Sequence, residues 1–297
     1  MKRRAVKIIA GTVTALALAV GGLSSAWLAG VHIPFASGTT YMKIQKLSTA
    51  DNAAPPNGTF FMMLIGSDLR PGVGGARGDA LHLIGINPAQ NTASMIDIPR
   101  DTCFNGDKIN AANASGGPRG QANAVSSLLG GVPISFVIEV DFAGFTNIID
   151  GMGGITVDVP TAMNDHYSGA VFNPGTQHMN GGQSLAFSRD RHDFPSSDLI
   201  RTQNQGRLLI GALRSMNTSA NYAAGEFKLL SLFGRHAQLQ GVGLKDLYRL
   251  GRIAHRLDPA KVRNVLWPTG GGSCLAATGA GASLAADFKD DAVLQTH

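Results

Sequence analysis

The run Phe60-Phe61-Met62-Met63-Leu64-Ile65, closed by Gly66, holds six apolar residues in succession with no polar break. That pattern belongs to a strand buried on both faces, in the middle of a sheet covered on two sides. Leu81-His82-Leu83-Ile84-Gly85-Ile86 reads as a second strand, stopped by Asn87-Pro88. Ala93-Ser94-Met95-Ile96-Asp97-Ile98 reads as a third, stopped by Pro99, and the link over 87–91 is short enough for a hairpin. Further on, 121–129 and 142–150 have helical spacing, with a strand over 135–140 between them. Ile155-Thr156-Val157-Asp158-Val159 alternates strictly, as a half-buried strand does. Ser196 or Ser197 could cap a long helix reaching residue 216, with Asp198 well placed in its first turn. Two more helical stretches, near 227–236 and 244–255, precede a strand over 262–267. Strands and helices interleave, so the expected class is α/β: a central, mostly mixed β-sheet flanked by helices.

Charge is sparse, and it gathers on the loops of this framework. The clusters are Gly66-Ser67-Asp68 with Arg70, Ala76-Arg77-Gly78-Asp79, Pro99-Arg100-Asp101, and Ser188-Arg189-Asp190-Arg191 followed by Arg201 and Gln205. Asp68 lies just past one strand and Asp79 just before the next, so one sheet edge can present both. Two carboxylates, completed by water and phosphate oxygens, suit the hard coordination of magnesium. Arginines offer rigid forks of donors for phosphate. Arg189 and Arg191 share a side if that segment is extended, and Arg201 and Gln205 lie one helical turn apart. Taken singly, each cluster has an ordinary alternative: turn residues for the aspartates, an ion pair for Arg100, a solvated face for the last run. Asp190, Asp193 and Asp198 could neutralise part of that last run.

The ends and the bulk composition narrow the possibilities. Lys2, Arg3, Arg4 and Lys7 precede a stretch, residues 8–33, that is almost free of charge. It exceeds the ~20 residues that span a hydrocarbon core. Its basic flank predicts a cytoplasmic tail (1–7), a single-pass anchor in the cell membrane (8–33) and an extracytoplasmic remainder. A cleaved signal peptide is the competing reading, with Ser25-Ala26-Trp27-Leu28-Ala29 near a possible cut. Residues 34–58 read as a polar tether. The chain carries a net charge of +5, but without the four residues of the anchor's flank 21 basic residues meet 20 acidic ones. No global field for nucleic acid remains, so nucleic-acid binding is not expected. Cys103 and Cys274, far apart and without Cys-x-x-Cys spacing, argue against zinc and leave disulfide or free thiols both open. The eight histidines form no metal-binding pair, and only His192, beside the arginines, draws notice. Gly66-Ser67-Asp68 is not a nucleophile elbow, and Gly72-Val73-Gly74-Gly75 fits neither a P-loop nor a dinucleotide fingerprint.

The order of these clusters resembles the LytR-CpsA-Psr family. The resemblance rests on Leu64-Ile65-Gly66-Ser67-Asp68-Leu69-Arg70, then Arg77-Gly78-Asp79, then Ile98-Pro99-Arg100-Asp101-Thr102. It continues through Lys108-Ile109-Asn110-Ala111-Ala112, Val140-Asp141-Phe142-Ala143-Gly144-Phe145 and Ile149-Asp150-Gly151-Met152-Gly153-Gly154-Ile155. It closes on the segment from Gly181 through Arg191 and on Asp198 to Gln205, so that a catalytic domain over 59–217 and an extension over 218–297 packed on it are expected. The resemblance implies a membrane-anchored phosphotransferase that moves a glycopolymer from a polyprenyl-pyrophosphate carrier to peptidoglycan through a phosphodiester. It also implies an apolar tunnel for the polyprenyl tail. Carried over by motif, Asp68 and Asp79 bind magnesium, with manganese as the alternative. Arg77, Arg100, Arg189, Arg191 and Arg201, with Gln205, hold the pyrophosphate, and Arg77, Asp79, Arg100 and Asp101 form the catalytic group. Two departures stand out: Gly78, where the family usually has serine or threonine, and Cys103, where an aromatic or polar residue is expected. The first removes a hydroxyl that could support the metal.

Phosphoryl transfer needs positioning and charge neutralisation more than covalent help, and this residue set can supply both. Asp101, or a metal-linked carboxylate, is the sequence candidate for the base. Two other functions use the same residues: a pyrophosphatase acting on the same lipid with water as acceptor, and a non-catalytic lipid-binding regulator of the envelope.

Overall fold

The apolar run at 60–66 forms the middle strand of a seven-stranded sheet in this computed structural model, which describes residues 42–47, 58–68, 76–194, 197–218, 237–272 and 274–295. The first strands are β1 (Met42–Lys46), β2 (Phe60–Ser67), β3 (Gly78–Asn87) and β4 (Thr92–Ile98). A small pair, β5 (Cys103–Phe104) and β6 (Asp107–Lys108), leads into helix α1 (Ala111–Leu128), strand β7 (Ile134–Val140) and helix α2 (Phe142–Met152). Short strands β8 (Ile155–Val159), β9 (Met163–Asp165), β10 (Ala170–Phe172) and β11 (Gly175–Met179) pair among themselves, β8 with β11 and β9 with β10. Helices α3 (Gly181–Arg189) and α4 (Ser197–Thr218) come next. The chain then supplies β12 (Ala237–Gln240), α5 (Leu244–Arg256), β13 (Arg263–Leu266) and α6 (Gly279–Asp291).

The main sheet runs β12-β1-β7-β2-β3-β4-β13. Pairings β1–β12, β2–β7 and β4–β13 are parallel, and β1–β7, β2–β3 and β3–β4 antiparallel, so the sheet is mixed as expected. Phe61, Met63 and Ile65 of β2 are wholly buried on one face, in a core shared with Val125 of α1 and Phe288 of α6. The other face of β2 differs from the expectation of burial on both sides. Leu64 and Gly66 are only half-buried because a cavity lies over them, between the sheet and α4.

Helix ends follow from local chemistry. Asp141 caps α2 by accepting from Gly144 N at 2.7 Å, and Gly153 closes the helix in a left-handed turn. Asn180 and Gln183 form a reciprocal capping box at the start of α3. Helix α1 begins ten residues before the expected 121 and is broken at Gly117, ahead of Pro118. A residue before proline is disfavoured in the α region, which hides the first half from periodicity. Residues 42–46, read as part of a tether, are instead strand β1: Met42 and Ile44 are buried between β7 and β12. The chain beyond 217 likewise contributes β12 and β13 to the sheet and Leu284 and Phe288 to the core.

Among the described residues no helix is long and apolar enough to cross a membrane. The anchor over 8–33, Arg70 and the helix near 227–236 lie outside the described residues. Cys103 and Cys274 are joined in a disulfide, which settles the open alternative and gives the unexpected Cys103 a structural reason.

Candidate functional site

The cavity over β2 and β3 has a volume of about 270 Å³ and a lining of two chemical kinds. Leu64, Val140, Phe145, Leu185, Leu208 and Leu209 are its apolar part. Asp79, Arg100, Arg189, Arg191, Arg201 and Gln205 are its charged and polar part, gathered from five separate elements and loops. The Arg189 guanidinium lies 5.2 Å from the centre of the Phe142 ring, where a cation–π contact steadies it.

Asp79 reaches the cavity through a bulge. Gly66 pairs with Ala80 and Ser67 with Gly78, so the register slips and Asp79 is the extra residue on β3. A bulge re-aims one side chain out of the alternation, and such kinks recur beside active sites. Asp68, past the end of β2, accepts from Arg77 N at 3.1 Å and donates its own N–H to Arg77 O at 3.4 Å. The two carboxylates therefore stand at adjacent strand ends, and of the two only Asp79 lines the cavity.

Arg100 follows β4 in a tight turn, where Thr102 bonds back to Pro99 O through both its N–H and its hydroxyl. Its Nη1 donates to Asp79 Oδ1 at 2.8 Å, and its Nε lies 3.4 Å from Asp198 Oδ1. The same Asp198 oxygen is 2.8 Å from Arg201 Nη2 and 3.9 Å from Arg191 Nε. Three arginines thus share one acid, and the buried Nε–H of Arg100 and of Arg201 and both Asp198 oxygens lack a well-formed hydrogen bond. An unmet buried donor costs roughly 1–3 kcal/mol. Burial pulls the Arg100 guanidinium down, but Asp79 and Asp198 outweigh it and leave its pKa raised. Burial lowers that of Arg201, Asp198 opposes the change and Arg100 adds to it. Three guanidinium groups against two carboxylates form a cluster that can take an anion.

Arg189 and Arg191 do not occupy one extended segment: Arg189 is the last residue of α3 and Arg191 follows the bend at Asp190. Both still line the cavity. Arg201 and Gln205 share a face of α4, with Gln205 Nε2 donating to Ser188 O at 3.1 Å. Of the three acids suggested to neutralise the arginines, only Asp198 forms ion pairs with them among the described residues. Asp193 accepts from Asn164 N instead, and Asp190 from His192 N. Arg77 and Asp101 are not among the cavity-lining residues, and Asp101 pairs with Lys108 at 3.0 Å. Gly78 faces away from the cavity, since a Cβ there would meet Leu81 Cδ2 at 2.9 Å and Gln121 Oε1 at 3.0 Å. A hydroxyl at this position would sit in the core beside Gln121, not on a metal. This corrects the weight that the sequence gave to its absence.

The cavity's mouth holds a group of which the sequence reading marked only His192. His192 Nδ1 lies 3.0 Å from Asp165 Oδ2, and both residues line the cavity with Tyr167. Burial raises the Asp165 carboxyl, but bonds from His192, Tyr167 N and Ser168 overcome this and hold it well below the usual range. Asp165 and Tyr167 come from 163–170, where no motif marks them. Their one sequence signal is the adjacency of His166 and Tyr167 in a polar turn.

The LytR_cpsA_psr family model matches residues 34–265 of this chain. A protein from Bacillus licheniformis named polyisoprenyl-teichoic acid–peptidoglycan teichoic acid transferase TagU is 34% identical over 171 residues. The match covers 56% of this chain and 54% of that protein, so the chain spans about half the length of the curated relatives it matches. Among solved structures, a LytR-Csp2A-Psr enzyme from Actinomyces oris superposes with a TM-score of 0.67 at 24% identity, covering 87% of this chain and 97% of that one. TagV of B. subtilis gives 0.66 at 24%, covering 80% and 98%. These two likenesses bear on the fold alone.

Proposed function

We propose that this chain, which belongs to the LytR-CpsA-Psr family, is a phosphotransferase that moves a glycopolymer from a polyprenyl-pyrophosphate carrier to peptidoglycan. The observation that carries the reading is the convergence of Arg100, Arg189, Arg191 and Arg201 on a cavity that is also lined by Leu64, Leu185, Leu208 and Leu209. A pyrophosphate on a long hydrocarbon chain has that same division. Its oxygens would take the guanidinium donors that Asp198 leaves over, and its first prenyl units would lie against Leu208 and Leu209. The activity for which the TagU relatives are named, transfer of polyisoprenyl-linked teichoic acid to peptidoglycan, supports the same chemistry.

In this reading Arg100, Arg189, Arg191 and Arg201 bind the non-bridging oxygens and stabilise the charge that spreads over them in the transition state. Gln205 braces the Ser188 carbonyl and so fixes α3, which carries Arg189, against α4, which carries Arg201. Asp198 keeps three arginines converged before the substrate arrives. Arg77, beside Asp68, is left with a role at the rim of the phosphate site.

Magnesium, or manganese, fits the donor set at Asp79 and Asp68, two hard carboxylates on adjacent strand ends. Among the described residues no group of three or more ligating side chains stands together. A magnesium site that keeps waters and takes phosphate oxygens needs only one or two carboxylates. When bound, the ion would neutralise charge on the pyrophosphate oxygens. The anchor over 8–33 would hold the domain outside the cell membrane with the N-terminus cytoplasmic. The Cys103–Cys274 disulfide supports that compartment, because such bonds persist in oxidising surroundings.

The test is incubation of the purified chain with a polyprenyl-pyrophosphate glycan, peptidoglycan and magnesium, with identification of the products. A peptidoglycan-linked glycan phosphate is expected, whereas free glycan phosphate would indicate a pyrophosphatase. Arg100→Ala and Asp79→Ala should each lower transfer by about 10²–10³-fold while leaving the circular dichroism spectrum unchanged. Wild-type rates in both variants would sink the assignment.

A further inference from the structure

The mouth of the cavity carries chemistry that phosphate binding does not use. Three exposed rings follow one another there: His166 stacks on Tyr167 at 4.0 Å between centroids, and Tyr167 on His192 at 4.5 Å. Tyr167 is 69% exposed, unusual for a large ring unless something covers it. Beneath the row lies Asp165, itself 2% exposed. One oxygen of Asp165 accepts from Tyr167 N at 2.9 Å and the other faces His192 Nδ1 at 3.0 Å. A carboxylate on Nδ1 holds the proton there and leaves the Nε2 lone pair free. Arg191, one residue away, lines the same cavity.

We propose that His192, oriented by Asp165, is the general base that takes the proton of the acceptor hydroxyl, and that Tyr167 is the surface on which the acceptor sugar stacks. This rests on the phosphotransfer reading above. The acceptor oxygen forms a bond to the phosphorus that bears the glycan, and its proton passes to His192 Nε2. The bond from that phosphorus to the bridging oxygen breaks, and polyprenyl phosphate leaves with the oxygen and the electron pair.

The rival acids are already engaged. Asp79 accepts from Arg100, Asp141 accepts from Gly144 N as the cap of α2, Asp198 is shared by three arginines, and Asp101 pairs with Lys108 away from the cavity lining. His82 also lines the cavity and pairs with Asp97 at 2.6 Å, but it is 2% exposed, too deep for a polymeric acceptor. The side chain of His192 is 58% exposed at the rim, where a glycan strand can reach it. Tyr167 and His166 continue the aromatic row from that base. Asp165 acts through His192 and is a positioning residue.

The experiment uses the full chain in detergent with a short-chain polyprenyl-pyrophosphate glycan and soluble uncrosslinked peptidoglycan strands. Single-turnover transfer and the Kd for the lipid are measured for wild type, His192→Ala, Asp165→Asn and Tyr167→Ala. His192→Ala should lose about 10²-fold or more in rate, keep the lipid Kd, and recover in part when imidazole is added. Asp165→Asn should lose rate in the same step with His192 still present. Tyr167→Ala should raise the acceptor KM at unchanged kcat. An unchanged rate in His192→Ala, or a loss explained wholly by weaker lipid binding, overturns the proposal. So does loss of transfer in His82→Gln with none in His192→Ala. If wild type releases only free glycan phosphate, the ligase reading fails. His192 then stands as the base for water only if its variant loses that hydrolysis and imidazole restores it. A wild type that binds the lipid and turns nothing over overturns both.

Discussion

Gly78 shows how one residue reads differently in a line and in a fold. In the sequence it is a missing hydroxyl next to Asp79; in the structure it is a small residue wedged against Leu81, Gln121 and Ile65. Gln121 Oε1 is buried there without a partner. Gly78→Ser would press on two movable side-chain ends while offering that oxygen a donor. The expected outcome is a stability change within about 1.5 kcal/mol and unaltered magnesium dependence of transfer, measured by urea unfolding and metal titration. Asp190 supplies a second test. Burial, and then repulsion from Asp193, push its carboxyl up to about 6 from the usual 3.8. A group that holds its proton more tightly folded than unfolded stabilises the fold at low pH. That contribution is complete below 3.8 and is lost as the pH rises to about 6. Relative to wild type, Asp190→Asn should therefore gain roughly 1–3 kcal/mol between pH 4 and pH 7. Parallel unfolding curves across that range would refute it.

At the scale of elements, the loop that carries Arg100 is held from outside the sheet. Cys103 N donates to Leu275 O at 2.8 Å and Leu275 N to Asp101 O at 2.9 Å, and the disulfide to Cys274 locks this contact. The bond closes a separation of 171 residues. Replacing both cysteines by serine should cost about 2–5 kcal/mol, read as a lower Tm. It should also slow transfer, because Arg100 then hangs on a loop with one tie fewer. Transfer at the wild-type rate in the reduced protein would mean that the turn at Pro99–Thr102 positions Arg100 unaided. A second element-level contact is the crossing of α6 over β3. A Cβ on Gly85 would stand 2.7 Å from Ala292 Cβ and 2.8 Å from Phe288 Cζ. Gly85→Ala should therefore destabilise by about 1–3 kcal/mol, without any effect on lipid affinity at constant fraction folded.

For the whole molecule, the question is how far the domain extends. Strand β13 pairs with β4 along the sheet's edge, and Leu284, Phe288 and Leu294 belong to the same core as Phe61 and Leu83. A chain ended at residue 258 would expose the β4 edge and empty part of that core. It should fail to unfold cooperatively and should aggregate, as thermal melts and light scattering would show. Soluble, cooperative folding of that truncation would make 259–297 an independent extension. The wider plan was legible beforehand. The long apolar runs at 60–65, 81–86 and 93–98 announced central strands, and the 197–218 helix announced itself by length and by Asp198 in its first turn. The strands β1 and β12 were not, since Met42–Lys46 has only alternate apolar residues among polar ones, and short edge strands draw their stability from their neighbours.

The sequence by itself determined the sheet's core, the helices that cover it, and which charged residues are available for phosphate. Those are properties of local period and residue type, and both are written along the chain. Only the tertiary structure decided which of them meet. The bulge turns Asp79 into the cavity, Asp198 draws Arg100, Arg191 and Arg201 together, and Asp101 goes to Lys108. It also brought Asp165 to His192 across 27 residues. Convergence of this kind depends on register and packing between distant segments, and no spacing within a single segment encodes it.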